Sequence, residues 1–262
     1  MTIASADSKL ARVSLEMEDA VARIILRNPP VNVIDIRMME ELAQVLAEIE
    51  SQSHLTAVIV IGEGRAFSAG VDIAVHTPDK AEEMLTKFHA LVRALVTMRK
   101  VTVAAVHGLC LGGGAELAMV CDLVYTSEDA EWGFPEIKLG CFPPVACTAL
   151  AALVGQKKAA ELILTGRSVT GREAGDIGLA TRSVPDNLLD STVQASVAQL
   201  LRLSPAALSI AKKASYAWDS MHFDKGLARA EKTYFEELIK TQDAQEGIRA
   251  FLEKRPPKWT GT

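Results

Sequence analysis

The segment 101–122, VTVAAVHGLCLGGGAELAMVCD, constrains the fold of this chain more than any other stretch. Its first six residues are mostly apolar and predict a buried strand; a helical pattern with Glu116 in its first turn then follows Gly112, Gly113 and Gly114. A strand that enters a helix through bare backbone exposes main-chain N–H groups, whose partial positive charge can hold a developing oxyanion. The segment therefore predicts a unit of an α/β fold with a candidate site that combines N–H donors and a carboxylate.

Two nucleotide-binding motifs fail to match this segment. Counted from Gly112, a G-x-G-x-x-G fingerprint needs a third glycine where the chain has Leu117, and the G-K-[ST] of a phosphate-binding loop is absent. One alternative stays open from the residues alone. The glycines only permit tight strand-to-helix packing in that case, and Glu116 is a solvated residue favoured by the helix dipole.

The size and charge of the chain narrow its class. With 262 residues it is long enough for one large domain or for a domain with an appendage. Its formal net charge of -5 gives no general attraction to nucleic acid or to anionic lipid. The first residues lack the pattern of a secretory signal, and no apolar run reaches the roughly 18 residues of a membrane span. We therefore expect a cytoplasmic protein with no nucleic-acid partner and no membrane association.

The cysteines predict neither a metal site nor a disulfide framework. They show no C-x-x-C spacing, they stand in apolar surroundings, and no histidine pair at ligand spacing accompanies them. We expect buried free thiols at Cys110, Cys121, Cys141 and Cys147.

The N-terminal residues carry strand patterns and then a helix pattern. Residues 12–17 and 20–26 are short β-prone runs with a turn between them, which predicts a hairpin. Asp35 can cap an amphipathic helix whose solvent-facing side carries acidic residues, Glu41 among them.

The order strand, glycine-bearing turn, helix occurs twice. The apolar run 55–61 is followed by the glycine-bearing segment 62–73 and by an amphipathic helix over 80–98, and the segment 101–122 repeats the order. Turns from two neighbouring strands could therefore face one site.

Towards the C-terminus the chain changes to helical patterns alone. Helices are predicted over about 191–202, 205–218 and 224–254. We therefore divide the chain into an α/β core, residues 1–190, and a helical region, residues 191–262. The helical region has to bury its apolar stripe against the core or against another subunit.

Four motifs occur in the order and at the separations typical of one family. They are FSAGVDI, HGLCLGGGAELAMVCDLV, WGFPEIKLG and the basic end DAQEGIRAFLEKRPPKW, and they resemble the enoyl-CoA hydratase/isomerase (crotonase) superfamily over nearly the whole chain. The resemblance implies a spiral of ββα repeats followed by a helical trimerisation region. It also implies an acyl-CoA thioester substrate, no cofactor beyond the coenzyme A of the substrate, and a homo-oligomer that is a trimer or a dimer of trimers.

Matched motif by motif, the resemblance implies the position of a catalytic site. It assigns oxyanion-hole N–H groups to Val71 and Gly113, and hydration carboxylates to Glu116 and Glu136, which are 20 residues apart. Isomerase members typically keep only the second carboxylate, so the presence of both favours hydration. One carboxylate would hold and deprotonate water while the other, protonated, delivers a proton to Cα. We assign the water to Glu116 and the Cα proton to Glu136.

The sequence departs from common hydratases in the segment after Gly140. Where those proteins carry a G-A-G-G-like run, this chain has PPVA, and aromatic residues precede it. We expect an acyl pocket narrowed by Trp132, Phe134, Phe142, Pro143 and Pro144, with His76 as a further candidate wall residue. The alternatives are that the aromatic residues only fill the core and that His76 is solvated or bonded structurally.

A narrower resemblance suggests the acyl group. Together with PPVNVIDIRMMEEL and FSAGVDIAVH, the altered segment is similar to the cyclohexa-1,5-diene-1-carbonyl-CoA hydratases. That similarity implies a compact pocket shaped for a ring instead of an open fatty-acyl chain.

The matching motifs also suggest residues that bind the coenzyme A part of the substrate. The candidates are Arg65, Ala69, Lys254 and Lys258. An equal alternative is that the basic residues near the C-terminus are only a solvated tail. Two other functions stay open. One is an acyl-CoA double-bond isomerase that uses Glu136 alone, and the other is a non-catalytic acyl-CoA- or RNA-binding scaffold. The acidic net charge disfavours RNA, and the two carboxylates disfavour a scaffold without activity.

Overall fold

Two sheets organise the α/β part of the molecule. The computed structural model describes residues 10–77 and 79–260, and all of their side chains except those of 216–222. The strands are β1 (Val13–Glu18), β2 (Val21–Leu26), β3 (Ala57–Gly62), β4 (Ala66–Ser68), β5 (Val101–Val106), β6 (Leu109–Leu111), β7 (Leu123–Ser127), β8 (Glu131–Gly133), β9 (Ser168–Thr170) and β10 (Arg182–Val184).

Helices connect the strands and form most of the C-terminal region. They are α1 (Ile36–Ser51), α2 (Ala81–Thr97), α3 (Gly113–Met119), α4 (Pro144–Val154), α5 (Gln156–Thr165), α6 (Gly171–Asp176), α7 (Leu189–Leu200), α8 (Pro205–Glu236) and α9 (Gln242–Leu252). Short 3₁₀ helices cover Ile73–Val75, Pro135–Leu139, Asp186–Leu188 and Leu238–Lys240.

Three consecutive strand pairs generate the spiral. The larger sheet has the order β1-β2-β3-β5-β7-β10, and the smaller sheet has the order β4-β6-β8-β9. The pairs β3/β4, β5/β6 and β7/β8 each place their first strand in the larger sheet and their second in the smaller one, and a helix follows each pair. This repeat confirms the predicted α/β spiral of ββα units. The short strands β4 and β6 lie within segments that the sequence predicts only as turns or extended pieces.

The larger sheet is covered on both faces, which explains its continuous apolar strands. Alternate residues of β3 and β5 enter different clusters. Val58 and Val60 of β3 belong to the main core with α1 and α2, whereas Ala57 and Ile59 pack with Val193 of α7.

The N-terminal predictions are confirmed with one exception. Strands β1 and β2 pair antiparallel, and the carboxylate of Asp35 caps α1 by accepting from the Met38 N–H at 2.8 Å. The prediction that Glu41 faces solvent is wrong, because its side chain is buried against the segment before β1. Its Oε2 atom accepts from the main-chain N–H groups of Ala11, Arg12 and Val13 at 2.7–3.1 Å.

The C-terminal helices differ in their bounds from the prediction. Helix α8 runs without a break from Pro205 to Glu236, although the sequence predicts an interruption near 218–224. The glycine in this helix serves close packing: a Cβ atom on Gly226 would lie 2.7 Å from Thr148 Cγ2 of α4. On the α2 side, His89 Nδ1 lies 2.7 Å from Glu231 Oε1. Helix α8 is therefore seated against two elements of the core, while the division of the chain at residue 190 stays a prediction.

The four cysteines are free thiols in different environments. Cys110, Cys121 and Cys141 are buried as predicted, but Cys147 is exposed, and all four are free. Within residues 10–77 and 79–260, no three His, Cys, Asp or Glu side chains gather in a way that could hold a metal ion. None of the helices in that part of the chain is both long and apolar enough to cross a membrane.

Candidate active site

The glycine triplet brings the first turn of α3 against a second carboxylate. Gly112, at φ +50°, precedes the helix in a conformation that favours glycine. A Cβ atom at this position would lie 2.6 Å from Glu136 Oε1, so a side chain here would displace that carboxyl group. Gly112 therefore lets Glu136 approach the start of α3.

The main-chain N–H groups of Val71 and Gly113 take no part in the hydrogen bonds of their own secondary-structure elements. Val71 forms an isolated parallel bridge with Ile34, in which the hydrogen bonds come from its neighbours: the Ile34 N–H donates to Gly70 O at 2.9 Å and the Asp72 N–H to Ile34 O at 3.1 Å. Gly113 is the first residue of α3, where N–H groups lack helical acceptors. In the described part of the chain, neither the Val71 nor the Gly113 N–H has a hydrogen-bond acceptor.

These two donors are close together. A Cβ atom on Gly113 would lie 3.4 Å from the Val71 nitrogen and 2.6 Å from Val71 Cγ2. The two residues that carry these N–H groups are therefore in close contact at the cavity.

Glu116 is held by the start of a neighbouring helix. The side chain is 3 % exposed, and its Oε1 atom accepts from the Ala146 N–H at 2.9 Å in the first turn of α4. Burial raises the pKa of Glu116 above its ordinary value, and the Ala146 and Val145 N–H groups partly oppose this rise. The N–H groups in the first turn of α4 thus favour the ionised form of Glu116, whereas the burial of its side chain favours the protonated form.

Glu136 lacks a comparable support. It lies on the 3₁₀ helix Pro135–Leu139, and its Oε2 atom is buried without a hydrogen-bond partner. Burial raises the pKa of Glu136, and the nearby charge of Glu116 raises it further. Two buried carboxyl groups in this relation retain a proton between them at a pH where exposed glutamates have lost theirs.

A single cavity connects these groups. It is about 70 Å³ in volume, and most of its wall is apolar. Its lining includes the predicted residues Ala69, Val71, His76, Gly113, Glu116, Glu136, Phe142, Pro143 and Pro144.

A family model described as Enoyl-CoA hydratase/isomerase matches residues 16–262. The chain belongs to the enoyl-CoA hydratase/isomerase family. A protein of Bacillus subtilis (strain 168) called "Probable enoyl-CoA hydratase" is 36% identical over 255 residues, covering 95% of this chain and 98% of the relative. "Cyclohexa-1,5-dienecarbonyl-CoA hydratase" of Thauera aromatica is also 36% identical, over 252 residues that cover 95% of this chain and 96% of the relative.

A solved structure shares the fold of this family member. The crystal structure of an enoyl-CoA hydratase from Mycobacterium avium subsp. paratuberculosis K-10 has a TM-score of 0.87 at 27% sequence identity. The match covers 96% of this chain and 99% of that chain. The crotonase-like fold is therefore shown by both sequence and structure.

Trp132 and Phe134, which were predicted to narrow the acyl pocket, lie in the hydrophobic core instead. Trp132 and Phe134 are fully buried in the main hydrophobic core and do not line the cavity. The indole N–H of Trp132 donates to Thr126 Oγ1 at 2.9 Å, which fixes the ring inside the core. The prediction is wrong for these two residues, and their role as core filler explains their presence.

His76 lies at the wall of the cavity with a defined ring orientation. Its Nδ1 atom is 3.0 Å from the Asp72 carbonyl oxygen, which can only accept, so Nδ1 carries the hydrogen. Burial lowers the pKa of His76, which favours the neutral ring. In this tautomer Nε2 is an acceptor.

The predicted coenzyme A contacts do not form one cluster in the chain. Ala69 lines the cavity, whereas Arg65 is exposed in the turn between β3 and β4. Lys254 is exposed just after α9, and Lys258 borders a separate surface cavity of about 390 Å³ together with Arg249. A role for these basic residues in binding coenzyme A stays a prediction.

The structure adds wall residues that sequence reasoning did not assign to the site. Met84, Leu85 and Phe88 come from the apolar face of α2, which helical periodicity reveals without showing what the face covers. Tyr234 comes from α8, and nothing in the sequence connects it with the glycine triplet.

Proposed function

We propose that this family member is a hydratase, a lyase that adds water to the double bond of an α,β-unsaturated acyl-CoA thioester. One observation carries the proposal: two buried carboxyl groups, Glu116 and Glu136, line the same cavity as two unpartnered N–H groups. Hydration needs a base, an acid and a stabilised thioester oxygen in one place, and this set of groups meets that need.

The Val71 and Gly113 N–H groups would bind the thioester oxygen. Attack of water on the β-carbon moves charge onto that oxygen, and two preorganised donors stabilise the enolate-like species. Removing one donor from comparable oxyanion holes costs roughly 3–4 kcal/mol of transition-state stabilisation.

The environments of the two carboxyl groups support a division of their roles. Glu116 accepts from the Ala146 N–H of a helix start, which favours its ionised form and suits a base that holds and deprotonates water. Glu136 has an unpartnered Oε2 atom and a pKa raised by burial and by the charge of Glu116, so it retains the proton that is delivered to Cα. The proton removed from water then restores the protonated state of the pair.

The acyl group is the finer part of the proposal. The similarity to the Thauera aromatica hydratase and the Phe142, Pro143 and Pro144 wall support a compact acyl group such as cyclohexa-1,5-diene-1-carbonyl. The present cavity, about 70 Å³, is smaller than the roughly 150 Å³ that admits benzene in an engineered core. A ring would therefore enter only with some displacement of this wall.

The reaction as proposed requires no cofactor, because coenzyme A is part of the substrate. We further propose a cytoplasmic homo-oligomer, a trimer or a dimer of trimers. Large apolar side chains that are exposed on the C-terminal helices of the single chain support this assembly; they include Ile210, Phe251 and Leu252.

Glutamine variants of the two carboxylates test the function. Glu116→Gln and Glu136→Gln should each lower the turnover number for hydration by about 10²- to 10⁴-fold, measured as the loss of enoyl-thioester absorbance. Binding of a saturated acyl-CoA should persist in both. Near-normal hydration by either variant would overturn the proposal.

The isomerase alternative gives a different pattern. An acyl-CoA isomerase that uses Glu136 alone tolerates Glu116→Gln and incorporates no oxygen-18 from labelled water into its product. A scaffold without activity gives no loss of absorbance with any enoyl-CoA, even in the unmodified protein.

A further inference from the structure

Tyr234 presents a polar atom that the proposed hydration does not use. The residue is 1 % exposed and lies on the wall of the cavity that contains Glu116 and Glu136. Its hydroxyl oxygen is buried and has no hydrogen-bond partner. Buried tyrosine hydroxyls usually find a partner, as Tyr125 does with Ser196 Oγ at 2.7 Å.

The surroundings of Tyr234 hold its ring firmly in place. The ring meets that of Phe142 edge-on, with 5.4 Å between centroids. One turn earlier on α8, Glu231 Oε1 lies 2.7 Å from His89 Nδ1, and the contact between Gly226 and Thr148 fixes the same helix against α4. The hydroxyl oxygen therefore keeps its place at the cavity wall.

None of the neighbouring groups in the described part of the chain is in hydrogen-bond geometry with this hydroxyl. The Cys141 thiol lies beside it, but a thiol sulfur is only a weak acceptor, and the S–H of Cys141 is directed to Leu139 O at 3.7 Å. Much of the cavity wall is hydrocarbon: Ile73, Met84, Leu85, Phe88, Leu139 and Phe142. Glu116 and Glu136 share this cavity, but neither carboxyl group bonds the hydroxyl, so the donor stays unsatisfied unless a bound molecule supplies an oxygen.

We propose that Tyr234 is a specificity-determining residue whose hydroxyl donates a hydrogen bond to an oxygen carried by the acyl group. This inference rests on the proposed acyl-CoA site and adds a preference to it. Acyl groups with a hydroxyl or carbonyl oxygen satisfy the donor, and a hydrocarbon enoyl or dienoyl group gains such an oxygen only when hydration installs its hydroxyl. Among acyl groups of similar shape, those that carry the oxygen should therefore bind more tightly.

The Tyr234 hydroxyl can donate to an acyl-group oxygen at either of two positions. The oxygen can be the one on the β-carbon, where hydration installs a hydroxyl, or a substituent further along the acyl group. Ketones are suitable probes for both, because a carbonyl oxygen only accepts and because these thioesters do not undergo dehydration.

The experiment compares thioesters with and without one oxygen. Dissociation constants are measured by calorimetry for acetoacetyl-CoA against butyryl-CoA, and for 4-oxopentanoyl-CoA against pentanoyl-CoA. The proteins are the unmodified chain, Tyr234→Phe, which removes only the hydroxyl, and Tyr125→Phe, a matched control whose hydroxyl bonds Ser196 outside the cavity.

We expect Tyr234→Phe to bind an oxygen-bearing thioester about 10- to 100-fold more weakly while its affinity for the matched oxygen-free thioester changes less than twofold. A loss for acetoacetyl-CoA assigns the oxygen to the β-carbon, and a loss confined to 4-oxopentanoyl-CoA assigns it further along. Tyr125→Phe should leave all four constants unchanged.

Equal changes for both members of each pair would overturn the proposal, because a packing role affects all acyl groups alike. Unchanged affinity for all four thioesters would overturn it as well. Retained affinity for butyryl-CoA and an unchanged melting temperature establish that the variant is folded. Since these measurements involve no turnover, they remain decisive even if the protein does not catalyse hydration.

Discussion

The Oε1 atom of Glu116 lies 2.9 Å from the main-chain nitrogen of Ala146, so the start of α4 holds the carboxylate. Helix α4 begins at Pro144. Proline is favoured at the first position of a helix, because an N–H group there would have no acceptor within the helix and its absence costs nothing. Pro144 and the preceding Pro143 also line the cavity. The segment that departs from common hydratases therefore shapes the acyl wall and positions a carboxylate at once.

This relationship predicts the effect of shortening the side chain. Glu116→Asp keeps the charge but removes one methylene, so the carboxylate cannot both accept from Ala146 and keep its place in the cavity. We expect the turnover number for an enoyl-CoA to fall about 100-fold, because a displacement of about 1 Å can cost that much. Affinity for a saturated acyl-CoA should change little. Glu48→Asp, on the exposed face of α1, is the matched control, and a Glu116→Asp enzyme as active as that control would contradict the prediction.

The close approach of Gly113 to Val71 predicts a clash that can be relieved. A Cβ atom in Gly113→Ala would lie 2.6 Å from Val71 Cγ2 and 3.2 Å from Phe88 Cζ, so Val71 and Gly113 must move apart or the Val71 side chain must turn away. We expect kcat/KM to fall about 10²- to 10³-fold as one N–H donor leaves its position.

A second substitution separates this cause from general damage. In Gly113→Ala/Val71→Ala the Cγ2 atom is absent, so at least about tenfold of the lost kcat/KM should return. Steady-state kinetics of the single and double variants measure this recovery. A double variant that is no more active than Gly113→Ala would show that the contact with Val71 is not the cause.

The buried carboxyl group of Glu136, whose Oε2 atom has no hydrogen-bond partner, predicts a change in stability with pH. Burial and the charge of Glu116 raise the pKa of Glu136 above its ordinary value of 4.5, so the folded protein keeps a proton that the unfolded chain releases. The free energy of unfolding contributed by this group therefore falls as pH rises from about 4.5 through the raised pKa. Glu136→Gln removes the titration and should stabilise the protein by about 1–3 kcal/mol on the alkaline side of that range.

Chemical denaturation at fixed protein concentration, at pH 5 and pH 9, measures the effect. The gain for Glu136→Gln should be larger at pH 9 than at pH 5. Glu63→Gln, at an exposed ion pair with Arg27, is the control and should show no comparable pH-dependent gain. A Glu136→Gln protein that is destabilised equally at both pH values would contradict the assignment of a buried, unsupported carboxyl group.

The sequence predicted the parts of the site that local patterns encode. The glycine triplet and the family motifs identified Gly113, Glu116 and Glu136, and the structure brings them to one cavity with Val71. Continuous apolar strands and the Asp35 cap also follow from local rules, since periodicity and capping depend on neighbours in sequence.

The remaining parts depend on tertiary packing. An aromatic residue is equally at home in a core and in an acyl pocket, so composition could not place Trp132, which the bond to Thr126 fixes in the core. The three-residue strands β4 and β6 are too short to show a period of two. Tyr234 reaches the cavity from α8, which continues unbroken past Gly226 and packs against α4, an arrangement that no local pattern reveals.

The size of the cavity predicts how the enzyme discriminates among acyl groups. The volume of about 70 Å³ and the wall of Phe142, Pro143 and Pro144 leave little room for a long chain. In a panel of crotonyl-CoA, a ten-carbon enoyl-CoA and cyclohexa-1,5-diene-1-carbonyl-CoA, we expect kcat/KM for the ten-carbon substrate to be lowest by at least about tenfold. If the cyclic dienoyl group is the natural substrate, its kcat/KM exceeds that of crotonyl-CoA, because the ring contacts more of the cavity wall.

Phe142→Ala enlarges the cavity and should raise kcat/KM for the ten-carbon substrate relative to the other two substrates. A clear preference for crotonyl-CoA would remove the cyclic substrate from the proposal, and a preference for the ten-carbon substrate would contradict a compact pocket.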